Sequence, residues 1–519
     1  MRLFSMSSDR DPRVKILVRG AEGRACARLV QVGAALAVAA VIAGCGNNYR
    51  PVVTPVVTTG PQAQPTSSVA VVSSTGPSSP GIATIIDYSG DTILAFAPIG
   101  PGPSSFTIDA SGANGYTVNS DGTITNFPVS STLQEKQILF TTLPATASPV
   151  NMMSPQTGLW VPDLTGNVID VFTGSPQTFK LAIPVATAPI TVAGSASLSG
   201  QREYAISQNF VDSTGVLCNT APTAAPATGL ATPIELANYS TDAPISLGKC
   251  PVFAVQTPDL RRLFVLNRGD DTVTVINTQL NALDSCTPYQ NMDGTWVTCH
   301  PTIQLPKGSG PVYAEYNSAT QQLVVANYDG GTISVIYAPL DEYGNDSNTY
   351  THTNCTTYAA CGAITGGFGS VVTIPVGNNP ASVTALVDGS KAYAANQTDE
   401  TVTVVDLPSY TVEKTLTVFG HPRTVSSTQN SLFSKVYVAS PDSPYLTVIE
   451  STPTATDIVD TTILTEGNIV DVRTSTQNGS AGNANYVSRV PGRGEPCNLP
   501  PGSPGLSSPL TLASCQAIP

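Results

Sequence analysis

Apolar and polar residues alternate strictly in three related stretches. Arg261–Thr278 reads RRLFVLNRGDDTVTVINT, Gln321–Ile336 reads QQLVVANYDGGTISVI, and Ser390–Leu407 reads SKAYAANQTDETVTVVDL. Each is a short apolar run, a polar turn and a second run of period 2, which predicts a β-hairpin. Looser copies occur at ATIIDYSGDTILAF, GYTVNSDGTITNF, LWVPDLTGNVIDVF, EYAISQNF and VYVASPDSPYLTVI. Aligned on the residue entering each turn, the eight copies are marked by Asp87, Asn119, Asp163, Ser207, Asn267, Asn327, Asn396 and Ser440. Their spacings are 32, 44, 44, 60, 60, 69 and 44 residues. A unit near 44 residues suits a four-stranded propeller blade.

A second marker repeats in register. Pro103, Pro149, Pro189, Pro251, Pro311, Pro380 and Pro422 each precede a short apolar run, 14 to 18 residues before the next turn marker. Proline lacks the N–H of a ladder donor and belongs at the first residue of a strand. Each unit is therefore expected to run as a proline-led inner strand a, strand b, the polar hairpin, strand c and an outer strand d. Thr411–Gly420 is an example of strand d. The fold class is all-β, a single β-propeller of four-stranded blades, with eight blades favoured and seven as the alternative. The Asp87 unit lacks an inner strand, while Asn468–Thr474 (NIVDVRT) has the inner-strand pattern and no hairpin after it. That C-terminal strand is expected to close the ring and remove its sheet edges.

Around TIPVGNNPASVTALVDGSKAYAANQTDETVTVVDLPSYTVEKTLTV, within Val371–Val418, the chain resembles the Tyr-Val-Thr-Asn repeat β-propellers. The match is close for the units at Asn267, Asn327 and Asn396, fair at Asp87 and Ser440, and poor at Ser207. No unit spells the motif in full. The turn Asn and Asp residues cap turns and tolerate left-handed backbone. A calcium site from Asp270, Asp271 and Asp329 would need converging oxygens from several loops; no metal is expected.

Composition supports the all-β reading. Charged residues make up 11% of the 519, and Gly and Pro number 43 each. The net charge is −13. The first 44 residues hold seven Lys/Arg and three Asp/Glu, leaving 16 basic against 33 acidic residues, a balance of −17. An acidic surface repels phosphate backbones, so no nucleic-acid partner is expected.

The N-terminus has a basic region (Arg13, Lys15, Arg19, Arg24, Arg28), an apolar run Leu29–Gly44, and Cys45. This is a secretory signal pattern, too short for a membrane span. Ile-Ala-Gly-Cys is similar to the lipobox of bacterial lipoproteins. The resemblance implies cleavage of residues 1–44, lipidation of Cys45, and, with Gly46 next, a place at the outer membrane. Residues 45–80 read as a Pro/Ser/Thr-rich tether, 81–475 as the propeller, and 476–519 as a flexible tail.

Eight cysteines remain: Cys218, Cys250, Cys286, Cys299, Cys355, Cys361, Cys497 and Cys515. An even count in an exported chain suggests disulfides. The three long intervals hold one pair each, so Cys218–Cys250, Cys286–Cys299 and Cys355–Cys361 are expected to staple insertions, and Cys497–Cys515 to close the tail. Cys286, Cys299 and His300 lack zinc spacing.

Catalytic motifs are absent: no HExxH, CxxC, GxSxG or Walker loop occurs. His421, Arg423, Glu315 and Asp471 fall on or beside inner strands and are the nearest candidates for a channel site; isolated polar lining is the plainer reading. No cofactor is expected. The expected function is a lipid-anchored envelope module that binds a protein, peptide or glycan through loops of blades four to six. The three insertions there are read as c–d connections forming one cap, with Tyr289, Trp296, Tyr343, Tyr350 and Tyr358 as contact residues. The alternative is a hydrolase similar to the propeller lactonases, with its site in the central channel.

Overall fold

The computed structural model describes most residues from Ser68 to Thr474. The connections 195–201, 210–227 and 339–367, most of 285–300, several shorter turns, and all residues before 68 and after 474 lie outside the described residues. Eight antiparallel sheets form the blades of a β-propeller. From the axis outward, blade 2 is Ser105–Ile108, Asn114–Val118, Thr123–Pro128 and Leu139–Thr142. Blade 7 is Pro380–Ala385, Lys391–Asn396, Thr401–Asp406 and Thr411–Thr417. Blade 3 is the least regular: its inner strand is reduced to bridges from Pro149 and Met153 to Asp163 and Trp160.

The ring closes in blade 1, ordered Asn468–Thr474, Ser68–Ser74, Pro80–Asp87 and Thr92–Pro101. The C-terminal strand is the innermost, as its pattern predicted, paired from Val69↔Thr474 to Ser74↔Asn468. Two expectations need correction here. Ser68–Ser74 (SVAVVSS), read as tether, is strand b, so the ring begins before residue 81. The Asp87 turn therefore joins c to d, one strand further out than the other markers. The b–c turn of blade 1 follows Ser74, and Thr75 lies 44 residues before Asn119, which removes the short first interval. Seven consecutive small or β-branched residues looked like linker composition. They form a strand because both of its neighbours are present, one contributed from the far end of the chain.

Proline opens strand a in blades 4 to 7 at Pro189, Pro251, Pro311 and Pro380. In each, the pairing shifts one residue after the proline. The residue before it, Ala188, Cys250, Gly310 or Asn379, has φ between +50° and +57°. A left-handed residue followed by a bulge turns the chain from the outer edge of one blade into the next blade's centre.

The core lies between blades. Leu263, Phe264, Val265 and Leu266 are fully buried, as are Val273, Val275 and Ile276. Each such side chain contributes about 1.5–3 kcal/mol of burial. Strands b and c are hydrophobic on both faces because each sheet is sandwiched by its neighbours.

Two sets of polar clamps recur around the ring, one within blades and one between them. At the b–c ends, Asn267, Asn327 and Asn396 each donate Nδ2–H to two hydroxyls of strand c: Thr272 and Thr274, Thr332 and Ser334, Thr401 and Thr403. A Cβ on Gly248 or Gly377 would strike Asn267 or Asn396, so glycine on the preceding blade admits the amide. At the a–b ends, residues opening strand b reach the next blade's c–d turn. Lys391 and Tyr393 hold Asp457, each at 2.8 Å. Lys435 bonds Asp91, Gln322 donates to Tyr410 at 2.8 Å, and Tyr204 donates to Asn281 at 3.2 Å.

Candidate functional site

The inner strands line the axis. Around blades 2, 3 and 4, Ser105 donates to Asn151, which donates to Thr191 at 3.0 Å. Around blades 7, 8 and 1, Ser382 accepts the Val425 N–H at 3.0 Å, Thr384 donates to Ser427, and Thr474 donates to the Ser427 carbonyl. Arg473 of blade 1, buried, meets Asp471 at 3.0–3.2 Å and also bonds Tyr313 of blade 6. Burial opposes its charge, and Asp471 together with Tyr313 more than restores it. Tyr313 packs on Phe253 with ring centroids 4.6 Å apart.

Of the four sequence candidates for channel chemistry, Asp471 is paired to Arg473. Arg423 donates to the Val470 carbonyl of blade 1. Glu315 accepts the Ala385 N–H at 3.3 Å. His421 is not in the channel wall. It sits in the blade 7–8 linker, with Nδ1 2.6 Å from Asp442 Oδ2 and Nε2 3.6 Å from Glu400. Glu315 lies four residues into its strand, so the two are separated by roughly 15 Å along the axis at about 3.3 Å per residue.

The acidic turn residues have local partners. Asp271 accepts the N–H groups of Gly308 and Gly310, each at 2.7 Å. Asp270 accepts the Lys249 N–H at 3.0 Å, and Asp329 takes the Arg268 guanidinium at 2.6 and 2.9 Å. These oxygens tie hairpins to the linkers and hairpins of neighbouring blades and do not converge on a common point.

One arrangement was missed from the sequence. The residue after the marker in blades 4 to 7, Gln208, Arg268, Tyr328 and Gln397, donates its backbone N–H to the residue preceding the inner-strand proline. The side chains form an arc at the b–c mouth. Gln208 donates to the Pro251 carbonyl, Arg268 stacks 5.2 Å over Tyr328, and Tyr328 donates to Gln397 at 2.7 Å. Arg268 Nη1 and Gln208 Oε1 are buried without a partner. The signal was available: the position following each marker is polar or aromatic in four successive repeats.

Glu203, on strand b of blade 4, has both carboxyl oxygens buried without partners. Burial alone pushes its pKa well above the usual carboxylate range, so it is the neutral acid. Asp170 in blade 3 is pushed up to about 6 by burial and by Asp163.

The expected three-insertion cap is corrected. Residues 210–227, with Cys218, join strand b (Arg202–Ser207) to strand c (Thr228–Glu235) of blade 4, and Cys250 lies at the following d–a junction. The connection leaves and re-enters the sheet at its b–c end, and Cys250 lies at that same end. The insertions of blades 5 and 6 join c to d and open on the opposite face. The misplacement arose because strand c of blade 4, TGLATPIE, contains Pro233 and lacks alternation. The proline is tolerated because the outer strand pairs only up to Ala231↔Ile245. Within the blade 5 insertion, Tyr289–Gln290 pairs with Trp296–Val297. Tyr343, Tyr350 and Tyr358 lie outside the described residues, as do Cys45, Cys218, Cys286, Cys299, Cys355, Cys361, Cys497 and Cys515.

No family model matches this sequence, and no curated protein matches it. The fold is similar to that of apo AztD from Citrobacter koseri, at a TM-score of 0.51 and 12% identity over 78% of this chain and 96% of that one. A second Citrobacter koseri AztD structure gives 0.50 and 13%, over 78% and 97%. A Bacteroides fragilis protein with a provisional 6-phosphogluconolactonase assignment gives 0.48 and 17%, over 80% and 99%, and adds nothing further. At such identities the likeness is one of β-propeller fold.

Proposed function

We propose that this chain is a lipid-anchored binding propeller of the cell envelope, of the Tyr-Val-Thr-Asn repeat type, without a catalytic role. The observation that carries this reading is the state of the channel. Its arginine and aspartate face each other, its glutamate caps a backbone N–H, and the nearest histidine belongs to a linker clamp. A hydrolase needs a base and an electrophile stabiliser converging on open space.

Cys45 is the proposed lipid attachment and residues 46–67 the tether, which enters blade 1 at Ser68. That entry and the exit at Thr474 are both on the a–b face. The insertions of blades 5 and 6 open on that face, in adjacent blades. Partner contact is assigned to them, through Tyr289, Trp296, Tyr343, Tyr350 and Tyr358, stiffened by Cys286–Cys299 and Cys355–Cys361. Cys218–Cys250 is proposed to staple the b–c face, independently of binding, and Cys497–Cys515 the tail. The partner is a protein, peptide or glycan of the envelope.

The test is capture from envelope extract by the full chain and by a chain trimmed of both insertions, beside a lactone and ester hydrolysis panel. Specific capture lost on trimming, with no turnover, is expected. Turnover that disappears in Glu315→Gln or Arg473→Met would overturn this in favour of a channel hydrolase.

A further inference from the structure

Among the described residues, thirteen buried side-chain polar atoms have no hydrogen-bond partner, and five of them gather at one blade. They are Trp160 Nε1, Asp170 Oδ2 and Gln177 Oε1 of blade 3, and both carboxyl oxygens of Glu203 on blade 4. Blade 3 is also the sheet without a continuous inner strand. Its strands, Leu159–Asp163, Val168–Thr173 and Thr178–Pro184, are continued toward the axis by the bridges from Pro149 and Met153.

The two acids lie on opposite sides of this sheet. Ile169 and Val171 pack with Val192 and Ala205 of blade 4. Alternation puts Asp170 on the other side with Phe172, which packs with Tyr116 and Val118 of blade 2. Glu203 is two residues before Ala205 and lies over Gly194, two residues after Val192, so it faces blade 3 on the surface that also holds Trp160. Each seam of blade 3 therefore contains a buried carboxyl with an unpartnered oxygen. A seam closed over such a group gains less from closing, because opening gives the group water.

The neighbouring charges do not supply a partner. Asp163 bears on Asp170 with its own negative charge, and Tyr116 across that seam is held toward its neutral form by burial and by Asp109. Lys180 of blade 3 is engaged by Tyr239, and Arg202, beside Glu203 in sequence, turns to Glu235 and Asp242.

We infer that blade 3 is a pH-released segment of the ring: it loosens from blades 2 and 4 when Asp170 and Glu203 lose their protons, at a lower cost than opening the other seven blades. Local opening is drawn from the unit with the fewest bonds to lose, and no other blade among the described residues combines a missing inner strand with an unpartnered acid on each side. The sign follows from the carboxyls. The closed seams hold Asp170 up at about 6 and Glu203 well above the usual range, whereas an opened blade returns both to about 4. Opening thus releases protons and becomes easier as pH rises from about 4 toward each raised value.

Hydrogen–deuterium exchange of the full chain in detergent, at pH 5 and pH 8 with labelling times scaled for the intrinsic rate, tests this. Protection of the strands within Leu159–Pro184 is expected to fall more than about tenfold between the two pH values. At pH 8 these strands should exchange faster than Lys391–Thr417 of blade 7. Asp170→Asn/Glu203→Gln keeps both groups uncharged and is expected to hold blade 3 at its pH 5 protection. An unchanged melting temperature at pH 5 shows that this variant folds; if it does not, Glu203→Gln alone is expected to recover part of the protection. Blade 3 indifferent to pH, or exchanging no faster than blade 7 at pH 8, overturns the inference. So does a loss that persists undiminished in the folded variant.

Discussion

The Glu203 carboxyl occupies the place that a side chain on Gly194 would fill. The two residues pair across strands a and b of blade 4, and a Cβ at position 194 would overlap Oε2. Glycine is there to admit a group that then finds no hydrogen-bond partner.

Glu203 makes stability depend on pH. Its folded pKa is raised, so above an unfolded value near about 4.3 the native state holds a proton that the unfolded chain has lost. Stability should fall as pH rises from there toward the folded pKa. Asp170 adds the same sign between about 4 and 6. Glu203→Met should remove most of the decline and gain about 1–3 kcal/mol at pH 8, with little effect near pH 4. Thermal melts at both pH values decide; a variant with the parent's pH slope refutes the assignment.

Gly194→Ala should destabilise by about 1–3 kcal/mol through overpacking. Gly194→Ala/Glu203→Ala should recover part of that loss. Denaturant unfolding of the single and double variants measures the coupling, and strict additivity would mean the two sites do not collide.

The Asn clamps should differ in strength. Asn396 donates to Thr401 and Thr403 and also accepts the Gly377 N–H at 3.1 Å, whereas Asn327 Oδ1 has no partner. Asn396→Ala should therefore cost about 1 kcal/mol more than Asn327→Ala. Equal losses in denaturant midpoint would remove the distinction.

Asp457→Ala should cost about 3–5 kcal/mol, because it leaves the Lys391 ammonium, 11% exposed, beside a tyrosine with no counter-charge but Glu413. Tyr393→Phe should cost about 1 kcal/mol. A double-mutant cycle between Lys391 and Asp457 gives the pair's coupling.

Removing residues after Glu466 deletes the inner strand of blade 1 and exposes Ser68–Ser74 as an edge. Cooperative unfolding should be lost, while removal after Gln477 leaves the melting temperature unchanged. A truncation at 466 that melts like the full chain would show that the ring does not need this strand.

The repeat was legible because each blade is built from contacts close in sequence. Alternation, turn residues and proline offsets recur at Asn267, Asn327 and Asn396 because the same local geometry is solved each time. Even the closing strand showed itself as an inner-strand pattern without a hairpin. What the sequence could not reveal depends on neighbours brought from elsewhere. Ser68–Ser74 is a strand only because Asn468–Thr474 lies beside it. The Cys218 connection changed faces once Thr228–Glu235 proved to be strand c. Arg473 and Tyr313 meet across the axis, and Asp170 and Glu203 take opposite sides of blade 3 only when neighbouring sheets are stacked. Hydrogen-bonded period and turn chemistry are local and written in order. Which polar groups converge, and which stay unpartnered, depends on ring closure, which joins residues some 400 positions apart.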